Sequence, residues 1–321
     1  MHMRMMNRCR RSFVSLAAAW LAASLLPLAG ADSPFAFREV NDSTGLELSE
    51  NGKPVFVYNY GMILARGFPE AMRRSSYLHP VYSPDGTVMT DDFNRDHPHH
   101  RGIFWAWEVV EVGGKTNDVW TVKGFRQDFV RWKARETGAT GARLAVENGW
   151  YDGDRKFVKE EVEILTHPAT QERRVMDFTL RFEAVDRPVM IVGTPDEKKG
   201  YGGFAFRTAP REGGAAKTII RTDTGISQQD GSMSRHPWAE IAGVFKGQEA
   251  GIRIEDNRAN PGYPSIRQVA GDILALTKLN YNACKLGESQ PVTVHFSDAV
   301  GEILVANLGT RTLLPNFKYY V

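Results

Sequence analysis

From Ala31 onward the chain is a succession of short runs in which apolar and polar residues alternate, each cut off by a turn signal. No stretch keeps an apolar stripe at helical spacing for three turns. A period of two puts alternate side chains on opposite faces of a strand, so the pattern predicts an almost wholly β protein. Leu46–Leu48 and Val55–Tyr60 flank Asn51-Gly52, a pair suited to the positive φ angles of a tight hairpin. Ser83-Pro84-Asp85-Gly86 links Tyr77–Tyr82 to Thr87–Thr90 in the same way, and Ile103–Val112, Asp128–Ala134, Arg143–Trp150, Lys156–Leu165 and Val175–Ala184 read as further strands. Parallel sheets need helical crossovers, and none is legible. The expected fold is therefore all-β, a large antiparallel two-sheet sandwich.

Residues 1–31 read as a cleavable export signal. Arg4, Arg8, Arg10 and Arg11 precede an apolar run from Phe13 to Leu28, and Ala29-Gly30-Ala31 offers a small-residue cleavage site. Arg10-Arg11 also fits a twin-arginine pattern, so the export route stays open. The expected mature domain is a single sandwich over residues 32–321, exported to the periplasm or the extracellular space. No later stretch reaches the roughly 20 apolar residues of a spanning helix. Removing the signal's four arginines leaves 36 basic against 38 acidic residues, a net charge of −2. That balance, with no basic run, excludes a nucleic-acid partner. Cys9 lies in the signal, which leaves Cys284 alone and rules out an internal disulfide in the mature chain.

Asp96-His97-Pro98-His99-His100-Arg101-Gly102 concentrates three of the chain's eight histidines beside a carboxylate and a guanidinium. Imidazole titrates near neutrality, so such a cluster suits proton transfer or metal ligation. Pairing of the flanking extended segments brings His79 to the cluster, and the strand period points His97 and His99 the same way. Pro98 places the segment at an edge or in a loop. Three readings compete: rings bracing a turn while Arg101 pairs with Asp96, a divalent-metal site built on His97 and His99, or metal-free acid–base catalysis. The last makes His99 or His100 the base, His97 or His79 the returning acid, and Arg101 the stabiliser of developing oxygen charge. No cofactor is required.

Asp96 and Tyr77 are candidate substrate contacts beside the histidines. Trp105 and Trp107 share one face of a strand and either fill the core or form a platform for a sugar ring. The glycine-rich segment around Lys199-Gly200-Tyr201-Gly202-Gly203 leads into a strand ending near Arg207. It lacks the spacing and helix of a phosphate loop, yet Lys199 and Arg207 are candidates for a polar ligand. Further on, His236 beside Trp238 and the loop around Asn260-Pro261 are candidate pocket residues.

From Arg73 through Trp107, with Lys199-Gly200-Tyr201-Gly202-Gly203 and Asn260-Pro261, the chain resembles a bacterial family of uncharacterised secreted proteins sometimes labelled methane-oxygenase-like. The label conflicts with the residues, because the membrane subunit it invokes is built from spanning helices. What the resemblance implies is a sandwich similar to the galactose-mutarotase-like fold, whose members bind or alter carbohydrates with histidine and carboxylate groups. Where that family has an Asp-His pair, this chain has Asp256-Asn257, so Asn257 takes no role. The expected function is an exported carbohydrate-active enzyme acting on a saccharide or oxidised sugar by histidine acid–base chemistry, as a lyase, epimerase or hydrolase. The alternatives are a noncatalytic binder of a small-molecule or oligosaccharide ligand and a metal-dependent hydrolase.

Overall fold

The computed structural model describes residues 33–192, 202–227, 231–256 and 263–264, together with the backbone of five further strands from residue 266 to 320. The export signal, Lys199 and Asn260 lie outside the described residues. Strands are numbered along the chain. The first sheet runs β1 (Phe35–Val40), β2 (Gly45–Glu50), β3 (Lys53–Asn59), β4 (Tyr77–Val81), β5 (Ile103–Trp107), β13 (Gly202–Arg207), β20 (Ile273–Ala275), β19 (Ile266–Ala270) and β16 (Gly231–His236). The second runs β15 (Gly225–Ser227), β14 (Ile219–Thr222), β17 (Trp238–Phe245), β18 (Gln248–Asp256), β23 (Pro315–Tyr320), β11 (Arg173–Ala184), β10 (Arg155–Thr166), β9 (Gly141–Asp152) and β8 (Arg126–Gly138), with β22 (Val292–Phe296) also on β11. A small third sheet joins β21 (Cys284–Leu286), β12 (Val189–Val192), β6 (Val109–Val112) and β7 (Lys115–Asn117). Every pairing between named strands is antiparallel.

The arrangement is sandwich-like and all-β, as the alternation predicts. Among the described residues, no helix is long and apolar enough to cross a membrane. Asn51 and Gly52 take φ angles of 50° and 75°, the left-handed pair that a two-residue hairpin requires between β2 and β3. The predicted strand Ile103–Val112 is in fact two. It breaks at Glu108, and its halves enter different sheets.

Aromatic side chains knit the two large sheets together. Trp107 of β5 meets Trp150 of β9 at 5.8 Å and Phe182 of β11 at 5.3 Å, while Phe204 of β13 meets Phe178 of β11 at 5.2 Å between ring centroids. Trp105 and Trp107 are only 1% and 3% exposed. Both belong to the core, which overturns the sugar-platform alternative for them. Burial of each ring removes a large apolar area from water, and the mixed tilted and edge-to-face contacts suit the ring quadrupoles.

One carboxylate sits inside this core. Glu160 of β10 is fully buried and accepts hydrogen bonds from Asn148 Nδ2 (2.8 Å), Trp150 Nε1 (2.6 Å) and Gln127 Nε2 (3.2 Å). Gln127 also donates to the Trp105 carbonyl across the sandwich at 3.3 Å. Burial raises the carboxyl's pKa, and the donors pull it back down.

All five residues of β5 are buried. Such a strand must be covered on both faces, because alternation would otherwise expose every second side chain. Trp105 and Trp107 face the second sheet. On the other side Phe104 packs against Trp120 of the β7–β8 connection at 5.0 Å and His100 of the β4–β5 connection at 5.9 Å. That covering layer contains the histidines.

Candidate functional site

Three segments that are distant in sequence are tied together by main-chain hydrogen bonds. Gly102 N donates to the Asp91 carbonyl (2.8 Å), Asp91 N to Arg207 (3.1 Å) and Arg207 N to Gly102 (2.7 Å). Bridges also pair Asp92 with Arg101 and Thr90 with Thr208. Gly102 has a φ of 43°, and a Cβ there would collide with the Leu78 carbonyl and approach the His79 Cβ to 2.9 Å. Only glycine lets the chain leave the histidine segment so close to β4. This framework fixes where Asp91, Asp92, Arg101 and Arg207 stand.

The histidines themselves occupy a turn. His100 N donates to the His97 carbonyl at 3.0 Å, with Pro98 at the second position, where its fixed φ suits a β-turn. This confirms a loop at Pro98 and corrects the strand-period expectation for His97 and His99. Residues three apart meet instead: the His97 and His100 rings stack at 4.9 Å and 7°, while His99 meets His100 edge-on at 4.4 Å and His97 at 5.9 Å. His100 in turn stacks on Phe104 at 5.9 Å and meets Trp120 edge-on at 5.5 Å. Phe104 and Trp120 are thus the aromatic floor of the cluster.

His100 is buried, whereas His97 and His99 are part-exposed. Arg207 Nη1 faces His100 Nδ1 at 3.5 Å. Two buried ring nitrogens, His97 Nδ1 and His100 Nε2, have no hydrogen-bond partner. An unsatisfied buried polar atom costs about 1–3 kcal/mol. Burial, with Arg74, His97, Arg207 and Arg101 adding to it, pushes the His99 pKa down to about 4. Burial, His99 and Arg207 take His100 to about 2. Both rings are therefore neutral near pH 7.

The cations lie beneath and beside the rings. Arg74 donates to the His99 carbonyl at 2.9 Å and to the Val119 carbonyl, and its guanidinium covers the Phe104 ring at 5.1 Å. Burial, then Arg101, lowers its pKa to about 9. Arg101 is completely buried, bonded to Asp92 Oδ1 (3.2 Å) and the Met72 carbonyl and stacked 3.3 Å over Phe93. Arg207 lies 4.0 Å from Asp91.

Several expected roles change with this geometry. Arg101 pairs with Asp92, and Asp96 is exposed, so the Asp96–Arg101 pair is not formed. Arg101 is sealed among protein groups and cannot itself touch a substrate oxygen in this structure. Tyr77 is fully buried and donates to Asp92 Oδ2 at 2.9 Å, which makes it a support for the acid rather than a ligand contact. Arg207 is buried against His100 instead of lining the surface. His79 does reach the cluster's edge through the β4–β5 pairing: its Nδ1 bonds Thr90 Oγ1 at 2.9 Å. Burial lowers its pKa, with Asp92 and Asp91 opposing. His236 does not reach it. It bonds Asp223 at 2.7 Å on β16, four strands from β5, or roughly 19 Å at usual strand spacing. Among the described residues, no group of three or more His, Cys, Asp or Glu side chains is arranged to hold a metal ion.

Arg74, Asp91 and Asp92 carry no site role in the sequence reading, and Trp120, there a candidate stacking surface for a sugar, is instead buried beneath His100. The available signal was their charge: Arg73-Arg74 and Asp91-Asp92 sit in segments whose neighbours are buried.

The fold and the cluster together define an all-β, sandwich-like protein with a histidine–arginine centre on the outer face of one sheet. The chain belongs to the family of unknown function designated DUF6807, whose model matches residues 45–300. No curated protein matches it.

Proposed function

We propose that the protein is an exported carbohydrate-active enzyme in which His99 moves a proton to or from a bound saccharide or oxidised sugar. The observation that carries this reading is the part-exposed His99 ring in edge contact with His97 and His100, beside buried guanidiniums. A neutral imidazole is a base, and cations nearby stabilise the oxygen charge that develops when a proton leaves carbon beside a carbonyl. His97 shares the open edge and serves as the returning acid. His100, Arg74, Arg101, Asp92 and Tyr77 act through position and charge. The resemblance to secreted proteins with a galactose-mutarotase-like sandwich supports a sugar as the reacting partner, and the Arg-rich, apolar N-terminus supports export.

The test incubates the protein with saccharides and their keto derivatives in deuterated buffer and follows the sugars by NMR. Solvent deuterium appearing at a sugar carbon, or a new product, is the expected result. His99→Gln should lower that rate by about 10²–10⁴-fold with folding retained, the usual range for one positioned proton-transfer group. Saturable binding with neither exchange nor product replaces the catalytic reading by a noncatalytic binder. Turnover lost on chelation and restored by divalent metal replaces it by a metal-dependent hydrolase.

A further inference from the structure

The geometry points to a flap, residues 64–73, that closes over Arg101 and lifts to let an oxygen of the bound sugar replace the Met72 carbonyl on its guanidinium. This inference deepens the reading above and rests on it for the sugar alone. A bridge between Ile63 and Arg74 brings the two ends of the segment together, and Arg73 Nη1 adds a bond to the Met62 carbonyl at 3.0 Å. The loop between them is braced by its own bonds: Phe68 N to the Ala65 carbonyl (3.2 Å), Met72 N to Pro69 (2.8 Å) and Arg73 N to Glu70 (3.1 Å). No residue from Gly61 to Arg73 is buried. A segment with so little core contact opens at lower cost than the sheets beneath it, and active-site lids are drawn from such segments.

Beyond its neck the loop meets the body at a latch. Arg101 donates from Nη2 to the Met72 carbonyl, and the Phe68 ring leans on Phe93 at 5.0 Å and 49°. Phe93 in turn lies 3.3 Å from the Arg101 guanidinium and holds a φ of 51°, a costly angle for a bulky side chain. Part-exposed Met72 and Phe93 thus touch a cation that has no accessible surface of its own. Lifting Met72 leaves Nη2 without its acceptor. Asp92 already neutralises the guanidinium through Nη1 at 3.2 Å, so the replacement need carry no charge. A sugar hydroxyl or carbonyl oxygen accepts the same bond, which strengthens as negative charge develops on it. Arg101 follows His100, and Arg74, two residues past Met72, donates to the His99 carbonyl at 2.9 Å, so the root of the flap borders the histidine turn.

The test labels the protein with phenylglyoxal, which adds to accessible guanidiniums, and follows each arginine by peptide mass mapping. Arg174, buried in its 2.6 Å ion pair with Glu50, reports global unfolding. The expected result is Arg101 labelling at least tenfold faster than Arg174, with a further rise of at least fivefold in Phe68→Ala while Arg174 stays unchanged. Equal rates at Arg101 and Arg174 overturn the flap. Arg101 labelling no faster in Phe68→Ala than in the wild type overturns the latch, and if that variant does not fold, the wild-type ratio alone decides. D-glucose, D-galactose and D-fructose then compete with the label, and Arg101 labelling slowed at least threefold at saturation supports the contact with sugar oxygen. Solvent deuterium entering a sugar that leaves Arg101 labelling unchanged overturns the contact and keeps the sugar reading. Fast labelling that no sugar slows, with no exchange into any of them, overturns the contact and the sugar reading together and leaves the flap standing.

Discussion

Arg207 Nη1 stands 3.5 Å from His100 Nδ1, and because guanidinium has no acceptor, that nitrogen must be the unprotonated one. The pair fixes His100 as the Nε2–H tautomer and discourages a second ring proton. Long-range nitrogen–proton NMR should show His100 in that single tautomer, with no titration between pH 8 and 4, consistent with a pKa near 2. A midpoint near the ordinary 6.5 would show that the ring is neither buried nor held by Arg207.

Gly102 is the hinge on which the site's framework depends. Its φ of 43° and the contact with β4 leave no room for a Cβ. Gly102→Ala combines a strained backbone with a main-chain collision, and a loss of about 3 kcal/mol or more is expected in denaturant unfolding. The contrasting substitution is Gly52→Ala. Its φ of 75° carries the same backbone strain, yet nothing lies within 4 Å of the new carbon, so about 1 kcal/mol is expected.

Glu160 shows how far a strand pattern can be read. Lys156–Leu165 was legible as a strand because Val158, Val162 and Ile164 alternate with charged residues, and the structure puts all three in the core. Position 160 falls on that same inward face. A sequence cannot announce that an acid will be buried there, because its three donors come from β8 and β9 and exist only after the sheet pairs. The candidate site was legible to the same degree. The local cluster of three histidines was visible, and so was the approach of His79. The choice of Asp92 over Asp96 as the partner of Arg101 was not, since it depends on the bridge between Asp92 and Arg101. Likewise Arg207 is more than 100 residues from His100 and joins it only because β13 pairs with β5.

Removing the Glu160 carboxylate should therefore be costly in a specific way. Glu160→Ala leaves the N–H groups of Asn148, Trp150 and Gln127 without their acceptor, and unmet donors at about 1–3 kcal/mol each predict a loss of at least about 3 kcal/mol. Glu160→Gln keeps one acceptor oxygen and should lose about half as much. Equilibrium urea unfolding with an unchanged m-value checks both numbers. A Glu160→Gln protein as stable as the wild type, with Glu160→Ala still destabilised, would mean that cavity formation, and not donor satisfaction, sets the cost.

Acid should weaken the histidine centre and ease the strain on Glu160. The folded-state pKa of His99 is about 4 and that of His100 about 2, both below the ordinary 6.5, so between pH 6.5 and 4 the unfolded chain binds more protons than the folded one. Stability from these rings is full above pH 6.5 and declines as pH falls, by an amount on the order of a few kcal/mol at pH 4. Glu160 has the opposite sign, because its raised pKa makes the folded chain the better proton binder above the ordinary carboxyl range. The centre can be isolated by comparing unfolding free energies of the wild type with those of His99→Gln and His100→Gln from pH 7 to 4. Each variant should be less pH-sensitive than the wild type over that window, with His100→Gln flattening the curve more because its ring is the more deeply buried. Parallel curves for all three proteins would mean that neither ring resists protonation in the folded state.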